Sequence, residues 1–355
     1  MDFKKILIIN PYGIGDVLFT TPIISNLRRA YPKSSIAYLA NHRTVDFLKF
    51  NPDITKVFVY NRDEFVEAYR KSPLKFIRKW FEFFNSIKQE GFDLAFDFSL
   101  NSTFSFLTAA CGIKKRIGYD YRGRGKFLSN KVQLIGFEGK HVVDYFLGLL
   151  KFVDVPVVDR HLTLAVPDQD IQWAQDWLDK NKVDIHKPLV AVFPGGGASW
   201  GNQARYRLWG ADKYAHLVDK IIENFDAAII LLGDSKDETL CREVSRLAHF
   251  PLYNAVGQTS LLGLAALFKQ CRAAIINDAG SVHVAVAVGV KALSIYGPVD
   301  PNVYGPYPPE EHVTVQKGLP CQPCYRRFRM PHCSHISCLR DLSVEEVYRK
   351  VQNIL

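Results

Sequence analysis

The sequence predicts an α/β protein built as two Rossmann-like units with a cleft between them. Three observations carry that reading. Short apolar runs alternate with stretches of helical spacing, as parallel strands covered on both faces by helices do. The alternation lapses between Asp154 and Lys187 and then restarts. The length, 355 residues, suits roughly two domains of ordinary size.

In the first unit, Lys5–Asn10 (KILIIN) is a short apolar run closed by Pro11 and Gly13, the mark of a buried strand. Asp16–Arg29 follows with helical spacing. Ser35–Ala40, Lys56–Tyr60 and Phe92–Phe98 read as further strands separated by helical patterns. Val155–Thr163 holds Pro156 among polar residues, and Asp168–Lys180 reads as an exposed amphipathic helix. Pro188–Phe193 (PLVAVF) reopens the pattern and ends in Pro194-Gly195-Gly196-Gly197. Asp212–Asn224 and Ser260–Lys269 are helical, while Ala227–Leu232, Ala273–Asn277 and Ala292–Tyr296 are strands. One more helix begins near Ser281 and the last covers Ser343–Ile354. The expected division is residues 1–165, a linker region 166–187, a second unit with a cysteine-rich tail 188–340, and a terminal helix 341–355. Ligands of open parallel sheets sit beyond the carboxyl ends of strands, so the loops there are the places to search.

Composition narrows the classes. A hydrophobic share of 48% excludes wholesale disorder. No stretch approaches the roughly 20 apolar residues that span a bilayer. Ile6–Ile9 is too short for the apolar region of a signal peptide, so a cytoplasmic location is expected. Lys and Arg number 45 against 36 Asp and Glu, a net +9, which favours an anionic partner. Cys111, Cys241 and Cys271 are scattered and read as core residues. Cys321, Cys324, Cys333 and Cys338 crowd one segment. Their spacing is compatible with four thiolates around a structural zinc, and also with reduced thiols packed beneath the last helix. Phe65–Ile87 mixes Arg70, Lys71, Lys75, Arg78 and Lys79 with Phe76, Ile77, Trp80, Phe81, Phe83 and Phe84. Such a segment either lies on an anionic membrane surface or packs its aromatics inward with charges outside.

Three loops carry chemistry. Asn10-Pro11-Tyr12-Gly13-Ile14-Gly15-Asp16 joins the first strand to the first helix, and its glycines allow close backbone approach by a ligand. A dinucleotide fingerprint would need a third glycine where Leu18 stands and an acid at the end of the second strand, which closes in Leu39-Ala40-Asn41. Asp16 reads either as a general base or as a first-turn carboxylate complementing the helix dipole. The second loop, Phe193-Pro194-Gly195-Gly196-Gly197, is followed by Ser199, Asn202, Arg205, Arg207 and Trp209. Glycines together with arginines suit phosphate oxygens; a long flexible loop with solvated cations is the alternative. The third, Asn277-Asp278-Ala279-Gly280-Ser281-Val282-His283, passes from a strand into a helix whose open amides suit a diphosphate. His283 alone reads as a core or capping histidine.

In order, these loops and the segments around them resemble glycosyltransferase family 9, the lipopolysaccharide heptosyltransferases, which have the GT-B fold. The resemblance rests on KILIINPYGIGDVLFTTPIISNLRRAYP, FPGGGASWGNQARYRLW, NDAGSVHVAVAVGVKALSIYGPVDP and the cysteine-rich tail. It implies inverting transfer of heptose from ADP-heptose to the inner core of lipopolysaccharide, with no catalytic cofactor and no nucleic acid. Asp16 matches the family's proposed base. Arg207 stands about where the family carries a cation near the donor phosphates. Asp278, Ala279, Gly280, Ser281 and His283 match its donor motif, with Ala279 replacing the usual hydroxyl residue. Asp237 is matched to an acid on the donor ribose, and Gly15, Gly195 and Gly196 are placed with the donor. Arg116, Tyr119, Arg122, Arg124 and Lys126 are expected to form a basic loop docking the acidic acceptor. The enzyme is expected to work at the cytoplasmic face of an anionic inner membrane, in peripheral contact. Transfer of another nucleotide-activated sugar, a nucleotide-sugar epimerase and a non-catalytic nucleotide- or glycan-binding protein stay open; Leu18 and the acid-free second strand disfavour a nicotinamide oxidoreductase.

Overall fold

The computed structural model describes residues 2–196 and 198–355; Gly197 lies outside the described residues, as do the side chains of Ala198, Ser199, Trp200 and Asn202. The chain forms two compact units. The first comprises the residues up to Phe137 together with Val142–Arg160, the second Glu138–His141 and His161–Leu355.

Unit one contains β1 (Lys5–Asn10), α1 (Ile14–Leu18), α2 (Thr21–Ala30), β2 (Ser35–Asn41), α3 (Val45–Lys49), β3 (Lys56–Tyr60), α4 (Arg62–Lys71), α5 (Pro73–Lys88), β4 (Leu94–Asp97), α6 (Ser102–Ala110), β5 (Lys115–Tyr121), β6 (Asn130–Leu134) and α7 (Val142–Leu147). Its strands are parallel, in the order β3-β2-β1-β4-β5-β6. Unit two contains α8 (Asp168–Lys180), β7 (Leu189–Phe193), α9 (Ala211–Phe225), β8 (Ala228–Leu231), α10 (Glu238–Leu247), β9 (Tyr253–Asn254), α11 (Leu261–Gln270), β10 (Ala273–Asn277), α12 (Gly280–Ala287), β11 (Lys291–Ile295), α13 (Pro301–Tyr304), β12 (Val313–Val315), α14 (Ser337–Arg340) and α15 (Val344–Val351). Its sheet is again parallel, in the order β12-β11-β10-β7-β8-β9. Each sheet is therefore the Rossmann order, begun in the middle, built to one edge, then resumed on the other side of the first strand.

The central strands are apolar throughout because helices cover both faces. Ile6, Leu7, Ile8 and Ile9 of β1 and Val190, Ala191 and Val192 of β7 are wholly buried. The helical stretch expected from Asp16 to Arg29 is broken into α1 and α2. The Thr20 and Thr21 hydroxyls donate to the Val17 and Leu18 carbonyls, and Pro22 has no amide to continue the ladder. Residues 116–121, expected within a basic loop, instead lie in strand β5. At the carboxyl end, a Ser343–Glu346 capping box starts α15, which packs against α9. No helix among the described residues is long and apolar enough to cross a membrane.

Candidate functional site

In each sheet the strand order reverses between the first strand and its later neighbour, β1 with β4 and β7 with β10, and ligands of such sheets gather beyond that point. Ile9 pairs with Leu39 on one side and Asp97 on the other, so the loop after β1 and the end of β4 adjoin. Asn10 Nδ2 donates to the Asp16 carbonyl at 2.8 Å, fixing the first turn of α1 over the strand end. The Asp16 side chain reaches solvent, yet the protein around it strips enough water to raise its pKa to about 6, with the amides of Gly13 and Asp16 itself pulling the other way.

Asp97 is a second carboxylate here, and it is 4% exposed. It accepts from the Ser99 amide at 2.9 Å and the Ser99 hydroxyl at 2.5 Å. Burial nonetheless raises its pKa to about 6. Tyr12 donates to the Ser99 carbonyl. Its phenol is pushed up to about 12, first by burial, then by Asp16 and Asp97, with Arg124 opposing. One tyrosine thus feels both carboxylates and one arginine of the basic segment. Below α1, the Tyr38 and Thr20 hydroxyls share a hydrogen bond of 2.8 Å.

The basic segment divides. Tyr119, on β5, is buried, and its hydroxyl donates to the Tyr145 carbonyl at 2.5 Å. Arg116, also on β5, spends its guanidinium on the carbonyls of Phe127, Ile113 and Lys114. These two are scaffold groups, which corrects the expectation of a single docking loop. Arg122, Arg124 and Lys126 follow in the turn after β5. Arg122 and Arg124 lie over the Tyr121 ring, and Ser105 Oγ holds the Arg124 carbonyl. A Cβ on Gly125 would sit 2.9 Å from the Asp120 Cα, so the turn closes only on glycine there.

Unit two brings its predicted residues onto adjoining strand ends. Asn277, closing β10, donates to the Pro194 carbonyl and accepts from the Tyr214 hydroxyl at 2.8 Å. Asp278 and Arg207 meet: Nε lies 3.2 Å from Oδ2 and Nη1 donates to the Asp278 carbonyl at 2.9 Å. Burial raises the Asp278 pKa and lowers that of Arg207, while their mutual attraction opposes both shifts. Arg207 is therefore no solvated cation. Arg205 is the exposed one, and with Gln203, Tyr206, Met330, Pro331 and His332 it lines a cavity of about 670 Å³.

The helix that follows is open at its start. Ala279 caps α12 with extended backbone and no side-chain bond; the Val282 amide donates to the Ala279 carbonyl at 3.1 Å, which leaves the Gly280 and Ser281 amides without an acceptor among the described residues. Ser281 Oγ is buried and has no hydrogen-bond partner among the described residues. His283, in the first turn, is held to about 3 by burial and by the neighbouring His141, Arg207 and His312, which keeps its imidazole neutral. A neutral dipole and open amides suit an oxyanion, and the helix dipole adds to them.

Gly195, two residues beyond β7, lies against Asp237. A Cβ there would lie 2.3 Å from the Asp237 carboxyl atoms. Asp237 Oδ2 accepts from the Asp234 amide at 3.1 Å, and burial raises its pKa. Gly196 is buried, whereas Gly197 and the side chains of Ser199 and Asn202 lie outside the described residues.

All four tail cysteines are free thiols. Cys338 is in the apolar core with Leu342, Val347 and Val351, its thiol pushed up to about 11 by burial and by the other three. The Ile336 amide donates to Cys333 Sγ at 3.4 Å. Among the described residues no three His, Cys, Asp or Glu side chains converge as a metal ion requires, so the structural zinc with which the spacing is compatible finds no support.

Three residues of these sites escape a reading of the sequence. Asp97 lies inside an apolar run, and only the β1–β4 pairing reveals it. Tyr12 is visible in the loop but not its reach to Asp97. His141 stands far from the second unit in sequence, yet it belongs to it: its Nε2 lies 3.0 Å from the Gly305 carbonyl, and its ring lies 4.6 Å from that of Tyr307.

Comparison with known proteins follows the same lines. The family model described as glycosyltransferase family 9 (heptosyltransferase) matches residues 80–334. A lipooligosaccharide heptosyltransferase 2 of Campylobacter jejuni is 28% identical over 99% of this chain and 98% of its own. The solved structure of a family 9 glycosyl transferase from Veillonella parvula superposes with a TM-score of 0.81 at 21% identity, covering 100% of this chain and 98% of its own. An E. coli heptosyltransferase solved with ADP gives 0.73 at 18% identity, covering 99% of this chain and 100% of its own.

Proposed function

The chain belongs to glycosyltransferase family 9, and on that footing we propose that it moves heptose from ADP-heptose onto the inner core of a lipopolysaccharide, with inversion. The observation that carries this reading is the start of α12: the open Gly280 and Ser281 amides, a buried Ser281 hydroxyl with no partner among the described residues, and the Arg207–Asp278 pair beside them. Together they form a place for the charge of a departing diphosphate. ADP bound to a fold relative, and the heptosyl activity named for the Campylobacter relative, are consistent with this donor.

Asp16 takes the proton of the acceptor hydroxyl. The acceptor oxygen attacks the anomeric carbon as that carbon's bond to the diphosphate breaks, and ADP leaves with the electron pair. A carboxylate raised to about 6 is a stronger base than an ordinary aspartate and still ionised at neutral pH. The α12 amides meet the developing negative charge. Arg207 fixes the Asp278 loop from which α12 starts and adds its positive charge. Asp237, packed on Gly195, takes the ribose hydroxyls. Arg122, Arg124 and Lys126 face the acidic acceptor. The reaction is placed at the cytoplasmic face of the inner membrane.

The test is incubation with ADP-heptose and a heptose-deficient lipopolysaccharide, read by mass. Gain of one heptose is the expected result. No gain, with gain from another nucleotide sugar, would keep the transferase and replace its donor.

A further inference from the structure

The helix pair α4–α5 of unit one is not used by the reaction, and the apolar residues of α5 extend beyond its inner face onto a flank turned to solvent. Phe76, Trp80, Phe83, Phe84 and Ile87, spaced by threes and fours, form the inner face. Trp80 and Phe83 pack on Tyr60 and Phe65, and Ile87 is fully buried. Leu74, Ile77 and Phe81 follow the same spacing along the adjoining flank and are 78%, 61% and 63% exposed. Tyr69 and Val66 of α4 are exposed as well. A helix packed on its own domain normally turns polar residues outward at such positions.

The charge beside this stripe is positive. Between Arg62 and Lys88 stand seven Lys and Arg and four Asp and Glu, so 7 − 4 gives +3. Lys71, Arg78 and Lys79 are paired with Glu67, Glu82 and Glu64. Arg70 and Lys75 are exposed and have no acidic partner among the described residues. A short apolar stripe edged by unpaired cations is what a helix lying in the headgroup plane of an anionic bilayer presents. Its 16 residues and its charges do not suit it to span one.

We propose that α4–α5 docks unit one on an anionic phospholipid surface, with Leu74, Ile77 and Phe81 at the acyl boundary and Arg70 and Lys75 on headgroup phosphates. This deepens the functional reading by naming the surface that brings the enzyme to a lipid-borne acceptor. Docking itself needs no sugar transfer, so a failed transfer assay and a failed lipid assay are separate results.

The full chain is floated with vesicles of phosphatidylcholine alone or mixed with phosphatidylglycerol. Recovery with the anionic vesicles, declining as salt rises, is expected. Leu74→Ser with Phe81→Ser is expected to lower partition ~10-fold or more, and Arg70→Glu with Lys75→Glu ~10-fold. Near-UV circular dichroism checks the fold of each variant. Should the serine pair fail to fold, the charge pair, on exposed side chains, carries the test. A wild-type chain that stays unbound overturns the proposal, as does a folded variant pair that floats like wild type. So does lipid-free sedimentation in which the wild type is a dimer and the serine pair a monomer, because the stripe would then belong to a second copy.

Discussion

Arg207 and Asp278, 71 residues apart in sequence, form an ion pair whose side chains are only 9% and 7% exposed. Taking one partner from such a pair strands a buried charge, at a cost of ~3–5 kcal/mol. Arg207→Ala is expected to lose about that much in urea unfolding. Arg207→Met combined with Asp278→Leu is expected to regain most of the stability while transfer stays absent. Recovery of both would reduce the pair to scaffolding.

Asp16→Asn keeps the shape of the side chain and removes the base. Turnover is expected to fall ~10²–10⁴-fold with ADP affinity, measured calorimetrically, unchanged. The rate of the wild type should fall as pH drops through about 6, since the protonated acid accepts no proton. His283, held near 3, contributes nothing to that limb. A flat profile from pH 5 to 8, compared at saturating substrate, would remove Asp16 from the role.

Asp97 is buried with a pKa raised from 3.8 to about 6. The folded state holds the proton more tightly than the unfolded chain, so this group favours folding most below about pH 4. That advantage is lost as pH rises to about 6, a change of ~3 kcal/mol. Asp97→Asn is expected to flatten that part of the stability curve and to stabilise the protein at pH 7. An unchanged unfolding midpoint across pH 4–7 in both proteins would contradict this.

Gly195→Ala would drive a methyl into the Asp237 carboxylate. The donor KM is expected to rise ~10-fold or more, through displacement of Asp237, with the acceptor KM little changed. Adding Asp237→Gly to relieve the clash is not expected to restore donor affinity, because the ribose contact is gone; full restoration would show that Asp237 only crowds.

Charge reversal at Arg122 and Arg124 is expected to raise the acceptor KM more than the donor KM. Initial rates at several salt concentrations measure it, and the wild-type advantage should shrink as salt rises. Equal effects on both substrates would place the acceptor elsewhere.

How much of this was legible depended on whether the signal was local. The strands KILIIN and PLVAVF announce themselves because burial on both faces leaves no polar position between their ends. β5 is hidden because Lys115, Arg116, Gly118 and Asp120 interrupt its alternation, so the segment reads as a charged loop. Asp16 and Asp278 stand beside glycines at strand-to-helix turns, and the sequence marks them. Asp97 is camouflaged within FDLAFDF, since only a parallel crossover, invisible to any short window, sets β4 next to β1. The Arg207–Asp278 pair is likewise a product of the β7–β10 pairing. Helix α1 ends early because two threonine hydroxyls and one proline outweigh an otherwise continuous helical pattern.

The tetrapeptide Glu138–His141 belongs to unit two although unit-one sequence flanks it on both sides. The two units are therefore not exchangeable cassettes. A chimera joined at residue 161, taking its second half from a relative, would inherit the imidazole beside Gly305, Tyr307 and His283 from the wrong parent. Recombination that preserves a working donor pocket has to carry those four residues along, and a second unit expressed from residue 161 alone would begin life with a ring-sized hole next to the start of α12.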